Sequence, residues 1–316
     1  MRKILTICLL LSGIIGYPAN ASEPPADPLR IGWASTDITP PKPVLIAGQF
    51  HARLSEGVRD PITATALAME SVRAGRTTRV ILISADLISI ADGMRGDADL
   101  RQEVRKRVTA AVPELDPTDI TLNGTHTHAA PVLSQADPKD IYGVSLDQIS
   151  GGKEVMPPAE YFELAARKLA DVAVNAWKNR KAGGISYGLS KAVVGHNRLQ
   201  VDQAGKSLMY GNTARPEFSH IEGYEDHNLN LLYTWDKSEK LTGVVINAAV
   251  PSQVSEHLYE ISADFWTDTR ALLRQELGKD LFVLPQVSAA GDQSPHIMWG
   301  DKAEERMQKL MDMGEG

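Results

Sequence analysis

Arg79-Val80-Ile81-Leu82-Ile83-Ser84-Ala85-Asp86-Leu87 is β-branched and almost uninterrupted in its apolar character, the pattern of a strand covered on both faces. An amphipathic helix is expected from Gly96 to Val112, where Leu100, Val104, Val108 and Val112 recur at a spacing of four. A second β-like run, Asp119-Ile120-Thr121-Leu122, follows it. Strand, helix, strand in this order points to a layered α/β fold, with mixed β-sheets flanked by helices.

The rest of the chain reads in the same terms. Ile31 to Pro41 is a strand running into a Pro-terminated turn, and Pro61 to Met69 a buried strand. Pro131 to Val155 has no clear period; a polar loop of that length is expected to be a lid or binding loop beside an apolar groove. Pro157-Pro158 opens a helix from Ala159 to Lys178, with Tyr161, Leu164, Leu169, Val172 and Trp177 inward. Strands are expected at Ile185–Val194, Asn228–Trp235 and Leu241–Val250, the last two joined as a hairpin through Asp236 to Lys240. A helix from Asp264, its expected N-cap, to Leu277 precedes a buried strand at Leu281–Val287, and a short helix runs from Asp301 to about Met313.

Met1-Arg2-Lys3, the apolar run Ile4 to Ile15 and Ala19-Asn20-Ala21 form a secretory signal over residues 1–21, cut after Ala21. Residues 22–30 are a Pro-rich leader, and residues 31–316 hold the folded part. The one cysteine, Cys8, lies in the signal, which excludes disulfides, a thiol nucleophile and a thiolate zinc site from the mature chain. Export without cysteines suits a bacterial periplasm or the medium. Loss of Arg2 and Lys3 leaves 31 basic against 40 acidic side chains, and there is no basic block, so nucleic acid is not an expected partner. No G-x-G-x-x-G follows any strand, which argues against a dinucleotide site.

Chemistry concentrates at Asn123-Gly124-Thr125-His126-Thr127-His128-Ala129-Ala130-Pro131. In an extended segment, residues two apart point to one side, so both rings are expected to face one pocket, one toward a metal and the other toward substrate or water. Gly124 allows a sharp bend and close approach to what is bound. Three polar segments directly follow strands: Gly124–His128, Ser252–His257 and Ala289–His296. Ligands in open α/β sheets sit outside strand ends, so these three can share a single pocket if their strands lie side by side in one sheet.

Asp86, ending the core strand, either orients a metal-bound histidine or caps the following turn. Ser294 is a positioning or substrate-contact group, or a nucleophile if a base such as His296 lies within reach. Glu222 to His227 reads as a solvated loop with His227 as a reserve ligand; His51, His196 and His220 are surface or lining residues.

Five motifs in order resemble the catalytic domain of the neutral/alkaline, non-lysosomal ceramidases. Gly32-Trp33-Ala34-Ser35-Thr36-Asp37-Ile38-Thr39-Pro40 is similar to the family's Gly-x-Ala-x-x-Asp-Ile-Thr opening, and Ser84-Ala85-Asp86-Leu87 to its buried strand. Gly124-Thr125-His126-Thr127-His128 matches its Gly-Thr-His-Thr-His signature, Asn197-Arg198 its Asn-Arg pair, and Gly291-Asp292-Gln293-Ser294-Pro295 its Gly-Asp-Val-Ser-Pro loop. The resemblance covers most of residues 31–316. It implies a zinc amidohydrolase of N-acyl bonds, acting on a ceramide or related lipid by metal-activated water, with transient contact at a membrane surface. On it, His126 binds zinc, His128 polarises the scissile carbonyl, Arg198 holds a substrate oxygen, and Ser294 lies near the reacting centre.

Two departures stand beside it. The family's second zinc histidine falls on or near Val250, which cannot bind metal; His257, a few residues on, is the expected replacement. The family also draws Glu and Tyr ligands from a segment beyond the serine loop, whereas this sequence ends at Gly316. Either the chain is truncated, or the metal site is rebuilt, or it is incomplete. Two alternatives therefore remain: a hydrolase on this scaffold with a non-lipid amide or ester substrate, and an inactive binding relative with a degraded metal site.

Overall fold

The computed structural model describes residues 28–90, 98–134, 136–210 and 213–297. The signal, most of the leader, Gly96 and the helix expected from Asp301 lie outside the described residues. Eight strands form one mixed sheet: β1 (Arg30–Asp37), β2 (Thr63–Arg73), β3 (Arg76–Ala85), β4 (Ile120–Gly124), β5 (Lys181–Lys191), β6 (Asn228–Asp236), β7 (Leu241–Ala248) and β8 (Phe282–Val287). Their order is β8-β7-β6-β5-β1-β2-β3-β4. Three main helices accompany them: α1 (Leu100–Ala111), α2 (Pro158–Lys178) and α3 (Trp266–Leu277). Parallel pairing occurs at β3–β4 and β7–β8, with α1 and α3 as the respective crossovers. The expected hairpin is β6–β7, bulged at Thr234/Trp235.

Side-chain parity along the strands defines four layers. On β2, Ala64, Ala66 and Ala68 face one way, into the core shared with α1 and α2. Leu67 and Met69 face the other way, joining Ile31, Trp33, Val245 and Leu284 in a second core between two halves of the sheet. Val244, Ile246 and Val283 point outward again, against Trp266 of α3. The sheet is thus folded over on itself, helix–sheet–sheet–helix. Trp33 pins the fold, stacked on Phe282 at 5.6 Å and donating to Thr234 Oγ1 at 2.9 Å. At the far ends of the strand order, Ser84 and Asn123 both donate to the carbonyl of Pro285, so β3 and β4 meet β8.

Three local expectations are corrected. Asp86 neither orients a histidine nor caps a turn: fully buried, it takes two hydrogen bonds from Arg270 of α3 (2.8 and 2.9 Å) and two from Thr63. Asp264 is not the α3 N-cap; with φ +58 it turns back to accept from the backbone N–H groups of Val254 and Ser255. The Pro131–Val155 loop is not structureless, because helical turns form at Pro138–Tyr142 and Leu146–Ser150. Leu146 and Ile149 pack against Leu45, Ala47 and Val132, where a lone bridge joins Ile46 to Pro131.

Candidate active site at the strand ends

The folded-over sheet brings the three strand-end segments together. After β4, His128 N–H donates to the carbonyl of Ser252, and Ser252 Oγ donates back to the carbonyl of Thr125. After β8, the Gly291–Asp292 turn receives Arg198 twice: its backbone N–H bonds the Asp292 carbonyl at 2.9 Å and its Nη2 the Gly291 carbonyl at 2.8 Å. Asn197 Nδ2 bonds the Asp292 carboxylate at 2.9 Å. The three segments meet, with β7 and β8 paired and β4 apart from them in the strand order, but no residue from Ser252 to His257 lines the cavity that holds His126 and Arg198.

His126 sits at φ +60, outside the extended region, so the simple alternation expected of Gly124 to His128 fails after Gly124. The bend folds this segment onto the 87–89 backbone. His126 N–H bonds the Leu87 carbonyl, and a Cβ on Gly124 would lie 2.8 Å from that same oxygen. Gly124 thus permits approach of a neighbouring segment of this chain. The two rings still meet edge-on, centroids 5.0 Å apart. Only His126 lines the cavity there, about 240 Å3, together with Arg198, Pro251, Val287, Ser288, Ala290 and Gly291.

The histidines have different chemistry. His126 Nδ1 lies 2.7 Å from the Ile88 carbonyl, which can only accept, so the proton is on Nδ1 and Nε2 carries a lone pair. Burial, then the neighbouring His128, push His126 below its ordinary value, keeping it neutral at neutral pH. His128 is turned into the protein. Its Nδ1 lies 3.3 Å from Glu256 Oε2, and Gln253 Nε2 lies over the ring, 2.9 Å from Nε2 and 3.4 Å from Nδ1. Its ring packs on Gly48, where a Cβ would come within 2.5 Å of Cγ. Gly48 has φ +105, so Gly48→Ala is strained twice over. We expect a loss of about 1–3 kcal/mol in urea unfolding and a displaced His128 ring resonance; a substitution that leaves both unchanged contradicts this packing.

Arg198 is held by Tyr210 Oη at 2.5 Å as well as by Gly291, leaving its other N–H groups in a fixed fork beside His126. Ser294 is buried, its Oγ accepting the backbone N–H of His296, and it is absent from the cavity lining. The ring of His296 is spent elsewhere: Nε2 donates to the Gln253 carbonyl at 2.7 Å and lies 3.5 Å from Glu256 Oε1. His257 is not brought to His126. It lines a separate cavity of about 600 Å3 with Asp60, Ser262 and Asp264, because its neighbour Glu256 takes the inward position. Val250 is buried wall. In the 222–227 segment, Glu225 bridges His196 and His227 at 3.4 and 3.0 Å, so this loop is held rather than freely solvated.

Zinc, the cofactor that the resemblance implies, finds one prepared ligand in His126, whose Nδ1 is given to a carbonyl as in metal-bound histidines. Among the described residues, no group of three or more His, Cys, Asp or Glu converges to hold a metal. These side chains do not complete a zinc site, and no catalytic step is assigned to the ion.

Glu256, Gln253 and Arg53 are the site residues that sequence reasoning missed. Burial alone pushes the Glu256 carboxyl up, but hydrogen bonds from His128 and His296 outweigh it and hold the group at about 2. The same contact with Glu256 raises His296 above its ordinary 6.5. Glu256's contribution to stability is therefore complete above its ordinary 4.5 and is lost as pH falls toward 2; that of His296 is complete below 6.5 and is lost as pH rises through its raised value. The stability difference between wild type and His296→Gln should peak between those ordinary values, read by urea melts at stepped pH; a flat difference contradicts the pairing.

The architecture and the convergent strand-end loops define the class: an α/β protein with a mixed eight-stranded sheet and its candidate site where β4, β7 and β8 end. Among solved structures the chain is similar to the neutral ceramidase from Pseudomonas aeruginosa, with a TM-score of 0.65, 17% identity, and coverage of 91% of this chain and 44% of that one. It is also similar to a ceramidase complexed with C2, with a TM-score of 0.62, 17% identity, and coverage of 91% and 43%. The chain thus spans less than half the length of these structures, and at this identity the likeness establishes the fold. No protein-family model and no curated protein matches the sequence.

Proposed function

We propose that this chain is a hydrolase of N-acyl bonds of ceramidase type, taking a ceramide or related N-acyl lipid as substrate outside the cytoplasm, with transient contact at a membrane surface. The observation that carries it is a cavity lined by both His126 and Arg198. Arg198's braced fork holds a substrate oxygen beside the bare Nε2 of His126. His128 stands edge-on behind His126, outside the cavity lining, as a second imidazole in contact with the first. The resemblance adds zinc, for which the described side chains supply one ligand and not a complete site. His126 is the described residue suited to hold it.

The test joins metal content of the purified chain to hydrolysis of a short-chain N-acyl sphingosine, in wild type and His126→Ala. Turnover that falls at least about 100-fold in the variant supports the reading. Turnover equal in both sinks the role of His126. A second reading, a binding relative without hydrolysis, is favoured by the lack of a three-ligand group among the described residues. It predicts saturable binding of the N-acyl lipid with neither turnover nor stoichiometric metal.

A further inference from the structure

Glu256 is placed with more care than a surface carboxylate requires. Its carbonyl oxygen accepts from Arg53 Nη1 at 2.6 Å and from Gln49 Nε2 at 3.2 Å, which fixes the backbone. Its side chain is 13% exposed and lies between two imidazoles, Oε2 at 3.3 Å from His128 Nδ1 and Oε1 at 3.5 Å from His296 Nε2. A carboxylate so held cannot rotate away from either ring without giving up the other.

The consequence falls on His128. A carboxylate only accepts, so the ring nitrogen facing it must carry hydrogen. Nδ1 is then the protonated nitrogen of His128, and Nε2 is the nitrogen left for chemistry. Gln253 Nε2 lies over the ring, 2.9 Å from Nε2 and 3.4 Å from Nδ1, and so does not take up the in-plane lone pair of Nε2. This ordering differs from the role the resemblance implies: a neutral ring protonated on Nδ1 accepts a proton at Nε2 and does not donate one to a carbonyl.

We infer that Glu256 is a positioning residue that fixes the Nδ1–H form of His128 and so makes Nε2 its working nitrogen, with His296 locking the carboxylate from the far side. The inference rests on the hydrolase reading only for its kinetic consequence; the ring state is independent of substrate.

The experiment uses the full chain, 15N-labelled at histidine, with the His128 signals assigned by their loss in His128→Asn. At neutral pH, wild type should show His128 protonated at Nδ1, and Glu256→Gln should shift the ring toward the Nε2–H form. On the N-acyl substrate, Glu256→Gln should lose about 10- to 100-fold in kcat with KM within about twofold, and Glu256→Asp should recover part of the loss. If Glu256→Gln fails to fold, wild type alone decides through its ring shifts. A bare Nδ1 on His128 in wild type overturns the inference, as does a folded Glu256→Gln with unchanged ring signals. Absence of turnover in wild type would sink the hydrolase reading and leave the spectroscopic answer standing.

Discussion

Arg53→Met should cost the fold about 3–5 kcal/mol, read as a lower urea midpoint at unchanged slope. Arg53 is fully buried, and its guanidinium donates to four backbone carbonyls: Ala47 and His128 through Nη2, Glu256 and Leu258 through Nη1, all at 2.6–2.7 Å. Burial pushes it down to about 10, so it remains charged at neutral pH. Each bond from a charged donor contributes about 1.5–3 kcal/mol, but burying the cation is itself unfavourable, so the net loss falls short of their sum. Met fills the volume and removes the donor from all four oxygens, of which only that of Glu256 keeps another, Gln49 Nε2. Arg53→Lys should rescue little, because a single ammonium cannot copy the planar fork that reaches all four. A loss below about 1 kcal/mol in either variant would contradict this account.

The second large effect belongs to Asp86 and Arg270, paired at 2.8 and 2.9 Å with almost no exposure. Arg270→Leu should cost about 3–5 kcal/mol, since it leaves a buried carboxylate with only Thr63 for company. Replacing both partners, as Asp86→Leu with Arg270→Leu, should recover much of that loss, because desolvating the pair offsets most of its Coulomb attraction. A double-mutant cycle measures the coupling. The pair joins β2, β3 and α3 and touches neither histidine, so metal content should be the same in Asp86→Asn as in wild type. A metal loss confined to that variant would revive the orienting role the sequence suggested.

The strand–helix–strand order was legible in the sequence because local periodicity follows from burial of one face or two. That is why Arg76–Ala85, Leu100–Ala111 and Ile120–Gly124 appear where the pattern placed them. The meeting of the three polar segments was legible too, from the tendency of strand ends to collect ligands. What decided their chemistry was not. Asp86 reads as a functional carboxylate until its partner, 184 positions away, is seen beside it. Glu256 and His257 are adjacent, and only the turn's geometry determines which one reaches His128. Arg53 offers no motif at all: a cation surrounded by carbonyls is recognised from acceptors that every residue possesses. His126 illustrates the same limit, since its backbone conformation broke the alternation on which its shared orientation with His128 had been argued.

The doubling of the sheet also bears on how the molecule reaches its native state. Strands β3 and β8 touch through Ser84 and Pro285, 201 positions apart, and the cavity draws its lining from positions as distant as His126 and Gly291. Long sequence separation slows folding, because a large loop entropy must be spent before any contact is gained. The half built from β1 to β4 with α1 and α2 has its own apolar core and can consolidate first. A nascent chain would therefore acquire its helix-backed half well before it acquires a binding cavity, and ligand affinity should emerge in the slowest refolding phase.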